Sequence, residues 1–129
     1  LDYKNYDTVN KDIVVWTTTN NDAFSSNPDS YSWVEIEDGL IKNVHVKKSF
    51  FNDPYNNHAI VGTFYFKKAK YFLEGLDRIY TKNIKSNNEY YIDNIFNVLD
   101  KKINVFGVDG YHCWGTPKDL KNYENNILG

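Results

Sequence analysis

Apolar and polar positions along this chain recur with two different periods, and the switches between them divide it into strands and helices. Residues 13–19 form a continuous β-branched and aromatic run that stops at Asn20-Asn21-Asp22. A run that never alternates predicts a strand covered on both faces, followed by a loop. Asn27-Pro28-Asp29-Ser30 is turn chemistry, and residues 31–37 then alternate as a half-buried strand does. Asp38-Gly39 supplies a hairpin turn, and residues 40–48 form the return strand with good though imperfect alternation. Beyond the polar loop at 52–57, the strongly β-prone residues 59–66 are expected in the sheet interior.

Gly62 interrupts that last strand. A glycine there weakens a strand unless a bulge requires it or another group must approach the backbone, and both readings stay open. Residues 67–82 place Ala69, Phe72, Leu73, Leu76, Ile79 and Tyr80 at helical spacing, which predicts one buried face that Gly75 weakens without forbidding. A polar loop at 83–88 leads through Glu89-Tyr90-Tyr91-Ile92-Asp93-Asn94 into a second helix at 95–99. Residues 102–108 return as a strand, and residues 117–126 close the chain as a third helix. The order predicts a single α/β domain over residues 1–129, a mixed β-sheet packed with helices.

Composition narrows the functional classes. With 129 residues, 41% hydrophobic and 17% aromatic, the chain can bury one substantial core but not two. A formal charge of −2 gives no general field for holding polyanions, which argues against a dedicated nucleic-acid binder or anionic-membrane binder. Lys42, Lys47 and Lys48, and separately Lys67, Lys68 and Lys70, are solvated faces on composition alone, with a local basic pocket as the alternative.

Cys113 is the sole cysteine, so no intrachain disulfide or cysteine zinc cluster can form, and a reducing cytoplasm is the expected location. As a nucleophile Cys113 would need a base, and adjacent His112 need not face it because neighbours on a strand point to opposite sides, so a small buried thiol is the simpler reading and nucleophilic catalysis the lesser one. No apolar run reaches membrane-spanning length, and the first residues lack a signal-peptide order. The start at Leu1 rather than methionine leads us to expect a segment of a longer protein.

Four segments in order carry a resemblance. They are the hairpin 31–48 ending near Lys48, the Gly62-containing strand, the segment Asn88-Glu89-Tyr90-Tyr91-Ile92-Asp93-Asn94, and the turn Trp114-Gly115-Thr116-Pro117-Lys118-Asp119-Leu120. Together, over residues 13–123, they resemble the C-terminal part of sugar-phosphate nucleotidyltransferases, the nucleoside-diphosphate-sugar pyrophosphorylase-like enzymes. The resemblance implies the C-terminal part of a Rossmann-like nucleotidyltransferase fold. It also implies attack by a sugar 1-phosphate on the α-phosphate of a nucleoside triphosphate, with Mg2+ assisting and pyrophosphate leaving, in the service of surface or capsular polysaccharide synthesis.

Residue by residue, the resemblance assigns Lys48 to the sugar phosphate, Gly62 to a close backbone approach by a sugar hydroxyl, and Glu89 to accepting hydrogen bonds from hydroxyls. Read without the resemblance, Lys48 is an exposed hairpin lysine and Glu89 an acidic residue near a helix N-terminus. Asp93 is expected to cap the helix that follows it.

Departures from the family pattern shape the expectation. Lys47 stands where a glutamate usually precedes the lysine, and Trp114 is followed directly by Gly115 with no intervening magnesium-ligating aspartate. Asp93, Asp109 and His112 are substitutes, the last demoted because magnesium prefers oxygen, and no metal site or catalytic residue is assigned. The seven glycines are scattered, without the phosphate-cradling cluster of the family's N-terminal segment. The nucleoside triphosphate is therefore expected to bind through a segment outside these residues, and the isolated chain to release no pyrophosphate. The alternative class is a non-catalytic carbohydrate-binding or interaction domain using exposed aromatic rings. A glycosyltransferase fragment leaves the Gly-Thr-Pro-Lys-Asp-Leu ending unexplained.

Overall fold

A computed structural model describes residues 11–49, 52–53 and 56–108, together with positions 117, 121, 124 and 125. Strand β1 (Ile13–Thr18) is buried at every position, as its unbroken apolar run requires. It is flanked by β4 (His58–Phe66), antiparallel, and by β5 (Ile103–Val108), parallel, so both of its edges and both of its faces are covered. Strands β2 (Trp33–Glu37) and β3 (Leu40–His45) make the expected hairpin. Asp38 and Gly39 both adopt positive φ, 53° and 76°, the geometry of a two-residue turn whose twist matches its strands. The register shift between Glu35 and Ile36 leaves Lys42 as an extra residue on β3, which accounts for the imperfect alternation.

The sheet is mixed, as expected, but its order β1-β4-β2-β3-β5 closes into a five-stranded barrel. That corrects the expectation of a Rossmann-like layer, which is an open parallel sheet. Closure is narrow, because β3 meets β5 at the single pair Leu40↔Asn104. Farther along β3, the side-chain amide of Asn97 stands in for a strand partner. Its Oδ1 accepts from Val44 N–H at 2.8 Å and its Nδ2 donates to the Val44 carbonyl at 2.9 Å.

Inside the barrel lie Ile13, Val15, Val34, Val44, Ile60 and Ile103, capped by Ile79, Ile95, Phe96 and Leu99. Each such aliphatic side chain removed from water contributes about 1.5–3 kcal/mol. Phe64 and Phe66 from β4 reach Phe96 at 5.0 and 6.1 Å between ring centroids, which ties the strand to the capping segment. A smaller cluster of Phe24, Trp33 and Ala59 packs a short helix, α1 (Asp22–Ser26), over the outside of β2 and β4.

Helix α2 (Ala69–Thr81) confirms the expected helix and, in Phe72, Leu76 and Ile79, part of its expected face, but the face is rotated away from Ala69, Leu73 and Tyr80. The buried stripe is Tyr71, Gly75 and Ile79, whereas Leu73 is 60% and Tyr80 57% exposed. Gly75 is the reason. A Cβ built there would lie 2.8 Å from Ile95 Cβ, so the missing side chain lets the helix backbone settle on the segment below. The helix ends in a Schellman motif: Ile84 N–H donates to Ile79 O at 2.8 Å, Asn83 N–H donates to Tyr80 O at 3.2 Å, and Asn83 has φ 52°.

The expected α-helix at 95–99 is instead a 3₁₀ segment, Ile92–Asn97. The side chains of Asn94 and Asn97 hydrogen-bond away from the segment's backbone, and its turns close at three residues, as in Asn94 N–H to Tyr91 O at 3.2 Å. The turn at Trp114, together with Asp109, His112 and Cys113, lies outside the described residues, as does most of the third helix expected at 117–126. No helix among the described residues is long and apolar enough to cross a membrane.

Candidate functional site

The return strand does not run to Lys48 as expected. Strand β3 ends at His45, and the chain turns through Lys47, whose φ is 57°. Asp29 Oδ1 accepts from the Ser49 N–H at 3.0 Å and from its hydroxyl at 3.3 Å, holding the far side of this turn against the 3₁₀ segment Pro28–Ser30. The Lys47 ammonium donates to the Ser30 carbonyl at 2.8 Å and sits 5.4 Å from the centroid of the Tyr91 ring. Lys48 is exposed and makes no hydrogen bond or ion pair among the described residues.

Glu89 is linked to this turn only through Tyr91, whose ring lies under Lys47 and whose hydroxyl meets Glu89. Ser86 and Glu89 exchange two backbone hydrogen bonds, at 2.9 and 3.0 Å, across Asn87 and Asn88, both at positive φ (50° and 63°). Asparagine tolerates that conformation well, so the Asn-Asn pair builds a tight turn that presents Glu89 to solvent. The Tyr91 hydroxyl donates to Glu89 Oε2 at 2.8 Å. That bond, with smaller contributions from desolvation and the carboxylate charge, raises the Tyr91 pKa above its ordinary value.

Asp93 does not cap a helix. The cap position is Tyr91, which makes no side-chain capping bond, while Asp93 Oδ2 accepts from the Ser32 hydroxyl at 2.6 Å. The backbone of Ser32 continues the connection, because its carbonyl accepts from Ile60 N–H at 2.9 Å. Two residues farther along β4 comes Gly62, at φ 100° in the middle of a bulge: Val15↔Phe64 and Thr17↔Ile60 leave three residues of β4 opposite one of β1. Nothing lies within 4 Å of a Cβ placed on Gly62, so the bulged backbone, and not a close protein neighbour, demands glycine.

One polar wall therefore joins the Ser30–Ser32 stretch, the Lys47-Lys48 turn, Glu89, Tyr91 and Asp93. It brings the turn carrying Lys48 together with Glu89, through Lys47 and Tyr91, and links to the Gly62 bulge through Ser32 and Ile60. Sequence reasoning missed Ser30, which sits in turn chemistry, and Ser32, which sits in the expected strand 31–37, because neither belongs to a motif. Lys47 was visible as one of a basic group and as a departure from a pattern, and Tyr91 only as part of one. Chemically, the wall offers ammonium donors for an anion and carboxylates for hydroxyl groups.

Magnesium finds no such provision. No group of three His, Cys, Asp or Glu side chains suited to a metal comes together among the described residues, and Asp93 is engaged by Ser32. No magnesium ligand is therefore assigned among the described residues, and no step is routed through the metal.

A separate open cleft is lined by Val34, Glu35, Ile36, Asn57 and His58 where β2 outruns its pairing with β4. Its polar groups are already engaged: Glu35 pairs with His45, and His58 Nδ1 lies 3.1 Å from Thr17 Oγ1. Burial lowers the pKa of His58. None of the residues singled out from the sequence lines this cleft.

No family model and no curated protein matches the sequence. Solved structures do match the fold. A nucleoside-diphosphate-sugar pyrophosphorylase from Vibrio cholerae RC9 superposes with a TM-score of 0.63 at 13% identity, covering 89% of this chain and 47% of that one. A structure assigned as a glucose-1-phosphate thymidylyltransferase from Bacillus anthracis, in complex with a sucrose, gives a TM-score of 0.58 at 16% identity, covering 91% of this chain and 44% of that one. The chain thus has the fold of part of a nucleotide-sugar pyrophosphorylase and spans a little under half the length of these neighbours.

Proposed function

We propose that this chain is the sugar-phosphate-binding part of a nucleotidyltransferase that forms nucleotide-sugars from a nucleoside triphosphate and a sugar 1-phosphate. The observation that carries the reading is the polar wall, which connects the Lys47 ammonium through the Tyr91 ring to the Glu89 carboxylate on a fold of the pyrophosphorylase kind. In this reading the phosphate of the sugar 1-phosphate lies at the Lys47-Lys48 turn. Glu89 accepts hydrogen bonds from ring hydroxyls, and the open backbone at Gly62 takes another. Such a wall contributes by positioning: it holds the phosphate oxygen for attack on a triphosphate bound elsewhere in the assembled enzyme. Product nucleotide-sugars would then feed surface-polysaccharide synthesis.

The test is calorimetric titration of the 129-residue chain with glucose 1-phosphate and with glucose. We expect saturable binding of the phosphorylated sugar that is weakened in a Lys47→Gln, Lys48→Gln double variant and in Glu89→Gln. Equal or absent binding of the two sugars would remove the reading.

The alternative of a non-catalytic carbohydrate-binding module has one observation in its favour, an exposed aromatic pair. Tyr80 and Tyr90 meet at 4.6 Å between centroids, with the Lys85 ammonium 4.9 Å from the Tyr90 centroid. The tryptophans described do not extend this pair into a platform, since Trp16 and Trp33 are buried.

A further inference from the structure

Two adjacent lysines stand at the turn where the proposed site meets an anion, and the structure treats them differently. Lys47 is half-buried and held at two points, by the Ser30 carbonyl at 2.8 Å and by the face of Tyr91 at 5.4 Å. Both contacts are with uncharged groups. No carboxylate lies within ion-pairing distance of it among the described residues, although Asp29, Glu89 and Asp93 all belong to the same wall. Only one of its three N–H donors is used by the contacts described. Lys48 is exposed and held by no contact among the described residues, so each ligand contact it makes must first immobilise a four-carbon stem.

From these facts we infer that Lys47, not Lys48, is the principal anion-binding and specificity-determining residue of the wall, and that it takes the phosphate of a sugar phosphate. The inference rests on the reading that the wall binds a sugar phosphate, and it adds which cation does so. A pre-positioned ammonium pays little ordering entropy when the anion arrives, and its partly desolvated setting strengthens the charge-assisted hydrogen bonds. The positive φ of Lys47 belongs to the same arrangement: it turns the chain out of strand β3 and fixes where the ammonium lies, between Ser30 and Tyr91. Tyr91 is in turn oriented by Glu89, so the cation, the ring and the hydroxyl acceptor form one connected unit.

Single variants separate this inference from the reading beneath it. Titrations with glucose 1-phosphate, glucose and inorganic phosphate are compared for the unaltered chain, Lys47→Gln, Lys47→Arg and Lys48→Gln. Loss of a charge-assisted bond at an ordered site is expected to weaken glucose 1-phosphate binding by about tenfold or more in Lys47→Gln and by less than about threefold in Lys48→Gln. Lys47→Arg should keep most of the preference for the phosphorylated sugar, which a purely structural role for Lys47 would not require. The reverse ranking of the two glutamine variants overturns the inference while leaving the sugar-phosphate reading intact. Failure of the unaltered chain to prefer glucose 1-phosphate over glucose overturns both. Should Lys47→Gln not fold, the side-chain NMR signals of the two lysines in the unaltered chain give the same decision. The ε-methylene signal of Lys47 should move more than that of Lys48 as glucose 1-phosphate is added, and the opposite order counts against Lys47.

Discussion

The two halves of the segment 89–97 do opposite work. Residues 94–96 are buried, with Ile95 and Phe96 in the barrel cap, and the exposed Asn97 completes the edge of β3. Residues 89–93 lie along the surface, where the Tyr91 hydroxyl donates to Glu89 and the Ser32 hydroxyl donates to Asp93. The difference teaches how a small barrel carries a polar site: the buried half sets the position of the exposed half, and the exposed half is free to be chosen for chemistry. Substitutions in the first should cost stability and those in the second should cost binding.

The largest effect should come from Ile95→Ala. Ile95 is fully buried beneath Gly75, and removing its side chain opens a cavity against helix α2. A loss of about 2–5 kcal/mol is expected in denaturant unfolding. A loss near zero would mean that the cap is not packed as described.

Next comes Gly75→Ala, which improves helix propensity yet drives a methyl group to 2.8 Å from Ile95 Cβ. Overpacking should win, with a net destabilisation of about 1–3 kcal/mol. If the variant is instead more stable, the helix does not rest on the 3₁₀ segment through this glycine.

The pH dependence isolates a third point, at the opposite end of β4. Burial depresses the folded-state pKa of His58 below 6.5. The unfolded chain therefore takes up this proton first as pH falls. The contribution of a neutral His58 is fully present above the unfolded value and is lost as pH drops through 6.5 toward the folded value. Unfolding curves over the range from about pH 7.5 to pH 5 should slope less for His58→Gln than for the unaltered chain. Parallel curves would mean that His58 is not buried beside Thr17.

Smallest in stability is Glu89→Gln, expected to change unfolding by less than about 0.5 kcal/mol because the side chain is exposed. Its signature is chemical. Loss of the carboxylate should bring the Tyr91 pKa back down toward 10.0, read by ultraviolet titration of the phenolate. An unchanged Tyr91 titration would break the link between Glu89 and the ring under Lys47.

Much of this organisation is legible in the sequence, where local chemistry decides. The unbroken run of β1, the Asp38-Gly39 turn and the existence of α2 all follow from residue type and spacing, and Gly62 marks an interruption of β4 that a bulge was one way to explain. Elements fixed by distant partners are not. The face of α2 turns because Gly75 meets Ile95, a contact between residues twenty positions apart. The barrel closes through the parallel pairing of β1 with β5 and the single pair Leu40↔Asn104, neither of which leaves a mark in local pattern. Helix α1 was in fact announced: Asn21 Oδ1 accepts from Ala23 N–H at 3.0 Å, and an asparagine followed by aspartate is a helix-start signal that its loop-like surroundings hide.

The candidate site divides the same way. Glu89 and the lysine turn were visible as residue types, but their juxtaposition depends on two asparagines at positive φ and on β3 ending early. Gly62 was visible as a strand interruption, either a bulge or a close backbone approach, while Ser32, which links it to Asp93, carries no signal of its own.

Backbone amide NMR of the 129-residue chain during titration with glucose 1-phosphate tests the central claim most directly. The account predicts saturable shifts concentrated at Ser30, Ser32, Lys47, Lys48, Gly62, Glu89 and Tyr91, with glucose producing much smaller ones. Shifts gathered instead at Tyr80, Asn83, Lys85 and Tyr90, or no saturable shifts at all, would contradict it.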